Sequence, residues 1–149
     1  MESIKSYMGT ELYKVQMKSP SDNILIADEP VDVGGQNLGF SPMELLLSAL
    51  AACTSATIRM YVDRKGWDLK EVNLDLEIIP DTVNGQTEIN RKIELIGDLD
   101  EEQRKRILLI ATKCPVHKIL TGNIHIESEL KSDLQVWNEG KVGLHRASS

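Results

Sequence analysis

The segment from Ser41 to Gly66 constrains the fold more than any other part of the chain. Ser41 offers a side-chain oxygen to cap a helix, and Pro42 suits the first turn, where its missing N–H is no loss. Glu44 lies where a capping box places its carboxylate, and Gly66 supplies the stop. The sequence therefore predicts a helix from residue 42 to about residue 65. Between Leu45 and Ala56 it is apolar or small on nearly every face, and a helix of that kind is buried all round. One domain of 149 residues rarely buries a helix fully, so a partner subunit is expected to cover part of it. Aromatic residues make up only 4% of the chain, which leaves aliphatic side chains and Ala to fill the interior by close helix packing.

The flanking sequence reads as strands. Tyr13 to Lys18 alternates apolar and polar residues, Ser19 to Asp22 is turn chemistry, and Asn23 to Asp28 forms the second arm of a hairpin. A weaker strand precedes them near residues 3–7. Glu29 to Phe40, with a Pro and three Gly, is a loop. Beyond the helix, Val72, Leu74, Leu76 and Ile78 alternate with polar residues in a clear strand. Asn84-Gly85 marks a turn, and residues 87–96 return as the partner strand, with Ile89, Lys92 or Ile93, and Leu95 competing for its inner face. A second amphipathic helix runs from Asp98 to Lys113, capped by Asp98 or Asp100, and Pro115 ends or kinks it. A short helical piece follows, then a last strand over residues 123–130. Runs of strands and helices, rather than strict alternation, argue for an α+β fold with antiparallel sheet. Residues 1–130 read as a single domain and 131–149 as a C-terminal extension, forming a strand, a lid or a loose tail.

The formal net charge of −6 argues against binding to nucleic-acid backbones and to anionic membrane surfaces. The N-terminal residues lack the apolar core of a secretory signal. No uninterrupted apolar run reaches the roughly 18–20 residues that cross a bilayer. These features predict a cytoplasmic protein. In that compartment a cysteine pair is more often catalytic, redox-active or metal-binding than structural.

The chain has two cysteines. Helical spacing surrounds Cys53 with Leu46, Ala49, Leu50, Thr57 and Met60, a dry setting that raises a thiol pKa and, unaided, makes Cys53 an inert core residue. Cys114 precedes Pro115 and falls at the cap of the short helical piece, where exposed N–H groups stabilise a thiolate; Lys113, His117 and Lys118 are close in sequence. Cys114, His117 and Cys53 together would give three metal ligands, against the four of a structural zinc site, and paired Cys-x-x-Cys spacing is missing. His125 and His145 read as ordinary surface residues, and the charged run from Asp98 to Arg106 as a solvated helix face. The sequence contains neither a Gly-rich phosphate loop nor a nucleophile elbow.

The blocks Ser41 to Cys53 and Cys114 to Leu120, with the Gly34-Gly35 loop before the first, resemble the OsmC/Ohr family of osmotically inducible and organic hydroperoxide resistance proteins, over roughly residues 5–130. The resemblance implies an OsmC-like α+β fold, with antiparallel sheets packed around long central helices in an intertwined homodimer. It also implies thiol-dependent reduction of hydroperoxides in oxidative stress defence, with no metal or other cofactor. Cys53 would attack the peroxide and become a sulfenic acid, Cys114 would condense with it to a disulfide, and a dithiol reductant, of lipoyl type by the same resemblance, would reset the pair. Family peroxidases place Glu directly after the Pro of the first block. Here that position is Met43, and Glu44, the candidate third catalytic residue, lies about 180° round the helix from Cys53. The family also uses an Arg from its N-terminal region to hold the thiolate, whereas the first Arg here is Arg59, off the Cys53 face, and Arg64 is about 16 Å along the axis. Lys14, Lys18 or a partner chain could supply the charge instead. Two alternatives stay open: a non-catalytic protein of the same fold holding a small hydrophobic ligand around Leu46, Leu50 and Met60 at the dimer core, and a redox sensor.

Overall fold

A computed structural model of the chain describes residues 2–80, 83 and 85–130. Three short strands come first: β1 (Lys5–Met8), β2 (Val15–Lys18) and β3 (Ile24–Ala27). They form an antiparallel sheet in the order β1-β2-β3, with Met17 opposite Ser6 on one side and Leu25 on the other. A loop containing a single 3-10 turn, Val31–Val33, leads to the long helix α1 (Pro42–Lys65). A hairpin follows, β4 (Asp68–Pro80) and β5 (Thr87–Asp98), and then helices α2 (Glu101–Ala111) and α3 (Pro115–Leu120). The architecture is the expected α+β arrangement with antiparallel sheets around a central helix.

Local chemistry accounts for these boundaries. Ser41 and Glu44 make the reciprocal capping box: the Ser41 N–H donates to Glu44 Oε2 at 2.7 Å and the Glu44 N–H to Ser41 Oγ at 3.3 Å. Gly66 ends α1 in a left-handed conformation, φ 67°, which costs Gly little. Of the two candidate caps for α2, Asp100 is used; its carboxylate accepts the Gln103 N–H at 2.7 Å. Asn84 of the turn expected between β4 and β5, and the extension from residue 131 onward, lie outside the described residues.

The core forms where α1, the β4–β5 hairpin and α2 meet. Ile58 and Val62 of α1 pack with Leu69, Leu99, Ile107 and Ala111, and with the half-buried Val72, Ile93 and Leu95 of the hairpin. Burying each of the larger aliphatic side chains stabilises the fold by about 1.5–3 kcal/mol. The β4–β5 ladder sets Leu76 opposite Arg91 and Leu74 opposite Ile93. The inner face of β5 is thereby Ile89, Arg91, Ile93 and Leu95, and Lys92 points out.

Only one stripe of α1 is buried within the chain: Leu50, Thr54, Ile58 and Val62. Met43 and Met60 stay exposed, as do most side chains of β1–β3. By length and composition α1 could cross a membrane, which corrects the expectation drawn from uninterrupted apolar runs. Its small polar residues break the runs without making the helix hydrophilic. The core helix of a soluble domain meets the same criterion, and the buried stripe of α1 is committed to the hairpin and to α2.

Asp28 organises the loop that feeds α1. Its carboxylate accepts four backbone N–H groups, from Tyr13 (3.1 Å), Glu29 (2.8 Å), Gln36 (3.0 Å) and Leu38 (3.1 Å). The loop then passes so close to β3 that a Cβ on Gly39 would collide with the Ile26 carbonyl, and the chain enters α1 beside a parallel bridge between Ala27 and Phe40. Burial alone would push the Asp28 carboxyl up; the N–H groups of Leu38, Gln36, Glu29 and Tyr13 outweigh it and hold the pKa below the usual carboxylate value. A depressed folded-state pKa contributes stability that is present above the unfolded-state value and is lost as pH falls through the folded-state value. Asp28→Asn is therefore expected to lower the thermal midpoint at neutral pH and to flatten the acid limb of the stability profile, as read by circular dichroism melts across the acid range.

The last strand expected from sequence, residues 123–130, is not one. These residues pair with no strand among those described and are exposed, Ile126 at 80%. Period-two alternation specifies two faces, but a strand also needs a hydrogen-bonded neighbour.

Candidate active site

The two cysteines meet. Cys53 sits half-buried in the second half of the apolar stretch of α1, and Cys114, fully buried, caps α3. The α2–α3 link and the packing of α3 on α1 bring the second sulfur towards the first, and the two thiols lie close enough for each to shift the other's ionisation. Both are free.

Their surroundings differ. Cys114 Sγ accepts the His117 N–H at 3.4 Å, and the Val116 N–H reaches both sulfurs. The Thr54 hydroxyl, fully buried one residue after Cys53, also contacts Cys114. Thr57, one turn beyond Cys53, donates its hydroxyl to the Cys53 carbonyl at 2.7 Å and assists the Cys53 sulfur weakly. Burial, and then the facing Cys114, push the Cys53 thiol up, against the smaller help of the Val116 N–H and Thr57. Burial also opposes ionisation of Cys114, but the Cys53 thiol, the His117 N–H, Thr54 and the Val116 N–H outweigh it and bring the pKa down. When the pair gives up its first proton the charge therefore settles on Cys114 while Cys53 keeps its proton, which separates the two settings in the direction the sequence suggested.

Glu44, the third expected residue, spends its carboxylate on the Ser41 N–H at the exposed start of α1. Lys14 and Lys18 form ion pairs with Glu11 (3.5 Å) and Asp22 (2.8 Å). Arg59 donates to the Leu69 and Lys70 carbonyls at 2.7 and 3.1 Å, and Arg64 to the Met60 carbonyl at 3.1 Å. The cation beside the site is instead Arg91 of β5, whose Nη1 donates to Thr54 Oγ1 at 2.8 Å. Sequence reasoning passed over both Arg91 and Thr54. The signal was the alternation Ile89, Ile93, Leu95, which places residue 91 on the inner face.

Among the described residues no three His, Cys, Asp or Glu side chains come together as a metal-ligand set, so Cys53, Cys114 and His117 do not form one. A cleft of about 190 Å³ between β5 and α2 is lined by Ile93, Leu95, Arg104, Ile107 and Leu108. Another, of about 270 Å³, lies over Asp75, Leu76, Glu77, Asn90 and Lys92. Neither involves Leu46, Leu50 or Met60, where a hydrophobic ligand was expected.

A helix-borne thiol, a second thiol on a following short helix and this α+β frame define the class. The sequence model of the OsmC-like proteins matches residues 34–129, and the chain belongs to that family. No curated protein matches the sequence. Among solved structures, a Psychrobacter arcticus protein provisionally described as an osmotic stress induced and detoxification response protein is similar at 26% identity and a TM-score of 0.70, over 84% of this chain and 89% of that one. An OsmC-like protein from Mycoplasma pneumoniae is similar at 23% identity and a TM-score of 0.70, over 82% and 88%. The organic hydroperoxide resistance protein OhrB of Bacillus subtilis shares the fold at 20% identity and a TM-score of 0.57, over 88% and 98%.

Proposed function

We propose that the protein is a cysteine-based hydroperoxide reductase acting in oxidative stress defence, with Cys53 peroxidatic and Cys114 resolving. The observation that carries this reading is the proximity of the two thiols, with Cys114 the more readily ionised of the pair. Cys53, the less buried sulfur, meets the substrate. As the peroxide binds, the Cys53 proton passes to Cys114. The Cys53 thiolate attacks the terminal peroxide oxygen, an S–O bond forms and the O–O bond breaks. The departing alkoxide takes the proton back from Cys114 and leaves as an alcohol. The Cys114 thiolate then attacks the Cys53 sulfenic acid; an S–S bond forms and hydroxide leaves, to be protonated by solvent. The two sulfurs together lose two electrons and the peroxide gains them. A dithiol reductant, of the lipoyl type implied by the family resemblance, restores both thiols by exchange.

The apolar setting of the Cys53 face favours organic hydroperoxides over hydrogen peroxide. Glu44 is assigned to helix capping. A homodimer, with the exposed apolar faces of α1 and the first sheet covered by a second copy, fits the single buried stripe of α1; sedimentation analysis reads it directly. We take residues 1–130 as the catalytic domain and the cytoplasm as its location.

Cumene hydroperoxide and hydrogen peroxide, each offered with dihydrolipoamide, test the reading: turnover is expected with both and faster with the organic substrate, while no consumption above that of free dithiol removes it. The pH dependence has a stated sign. Because the Cys114 pKa is lowered from the ordinary thiol value, the first-turnover rate is expected to fall as pH drops through the Cys114 value, at a lower pH than an ordinary thiol would give. A first-turnover rate still rising through the ordinary thiol range, around pH 8–9, would place the essential thiolate elsewhere.

A further inference from the structure

Arg91 is a cation on the inner, helix-facing side of β5. It is half-buried beside Ile89 and Ile93, opposite Leu76, and among the described residues no carboxylate is ion-paired with it. A guanidinium is in general a permanent cation in proteins. What it meets is Thr54 Oγ1, at 2.8 Å. That hydroxyl has one proton and two lone pairs. Arg91 occupies one lone pair, and the proton lies towards the Leu50 carbonyl, 2.7 Å away, the ordinary back-bond of a helical Thr. The same hydroxyl lies close enough to Cys114 to favour its ionisation.

We propose that Arg91 is a positioning residue for the cysteine pair: through the Thr54 hydroxyl it draws negative charge onto Cys114 and holds it there, so that Cys53 keeps the proton until substrate arrives. The inference rests on the two-cysteine reading above for its purpose, but not for its test. A guanidinium on the lone pair of Thr54 makes its O–H a stronger donor. When Cys114 is a thiolate, that donor turns from the Leu50 carbonyl to the sulfur. Without Arg91, the carbonyl is an adequate partner and the hydroxyl stays on it.

The other groups around Cys114 do not duplicate this role. From α1 it faces Cys53 and Thr54, and from α3 the Val116 and His117 N–H groups. The arginines of α1, Arg59 and Arg64, are engaged on backbone carbonyls, and Lys113 and Lys118 are exposed. Arg91 of β5 is the charged side chain one hydrogen bond away.

The test is a pH titration of thiolate ultraviolet absorbance on reduced protein, which needs neither peroxide nor reagent access to the buried sulfur. Arg91→Gln is expected to move the first ionisation of the pair to higher pH by about one unit, a tenfold change in its ionisation constant. Arg91→Lys restores part of it by keeping the charge. Thr54→Val reproduces the shift, and adding Arg91→Gln to it changes nothing further, as expected for two residues acting through one contact. A first ionisation unmoved by Arg91→Gln or by Thr54→Val, with only the thermal midpoint lowered, overturns the proposal and leaves Arg91 a structural residue. If Arg91→Gln does not fold, the Thr54→Val titration decides alone. Should the ionisation shift as expected in a protein that reduces no hydroperoxide, the peroxidase reading falls and the role of Arg91 stands.

Discussion

A Cys53→Ser protein is expected to reduce no hydroperoxide above the uncatalysed rate, although its second thiol is intact. The reason lies in access. Cys114 has no exposed surface, whereas Cys53 is half-buried, so a peroxide oxygen reaches the α1 sulfur first. Cys114 is the more readily ionised sulfur, but a thiolate with no path to substrate cannot attack it. The change is conservative in volume and leaves the Cys114 cap intact, so the fold should survive; circular dichroism checks this. Residual turnover of even a tenth of the wild-type rate would mean that Cys114 attacks peroxide itself, and the roles of the two sulfurs would have to be exchanged.

The second large effect is expected from Cys114→Ser, and it differs in kind. Without reductant, this protein should consume one equivalent of hydroperoxide per chain and stop, leaving a sulfenic acid on Cys53 that a carbon nucleophile such as dimedone can trap. Its first turnover should also be slower. In the proposed mechanism Cys114 accepts the Cys53 proton and returns it to the leaving alkoxide, and removing a positioned acid–base group costs about 10²–10⁴-fold. Ser is too weak a base to replace it. A first turnover as fast as wild type would show that Cys53 finds its base elsewhere, for instance on a partner chain, and that Cys114 acts only in resolution.

The sequence announced some of this geometry plainly and concealed the rest, for physical reasons. Helix α1 was legible because its signals are local: Ser41, Pro42 and Glu44 at one end and Gly66 at the other act within one turn of chain. The hairpin was legible on β4, where Val72 to Ile78 alternate strictly, and less so on β5, where the adjacent Lys92 and Ile93 obscured which residues face in. That ambiguity hid Arg91. The four-armed role of Asp28 was invisible because its partners, from Tyr13 to Leu38, are backbone groups, which every sequence has. The family resemblance brought the cysteines together; their separate flanks spoke only of their individual settings. The contrast in those flanks, apolar around Cys53 and polar around Cys114, survives in the folded pair as one thiol pushed up and the other brought down in pKa.

The most direct measurement is a thiol count with peptide mapping after a single equivalent of cumene hydroperoxide, added to reduced protein without any reductant. The expected result is loss of both free thiols in step with alcohol release, and a peptide joining Cys53 to Cys114 within one chain. Hydroperoxide left unspent, with both cysteines still open to alkylation after denaturation, would contradict the account: two neighbouring sulfurs, one more readily ionised than the other, would then be part of a fold that performs some other task.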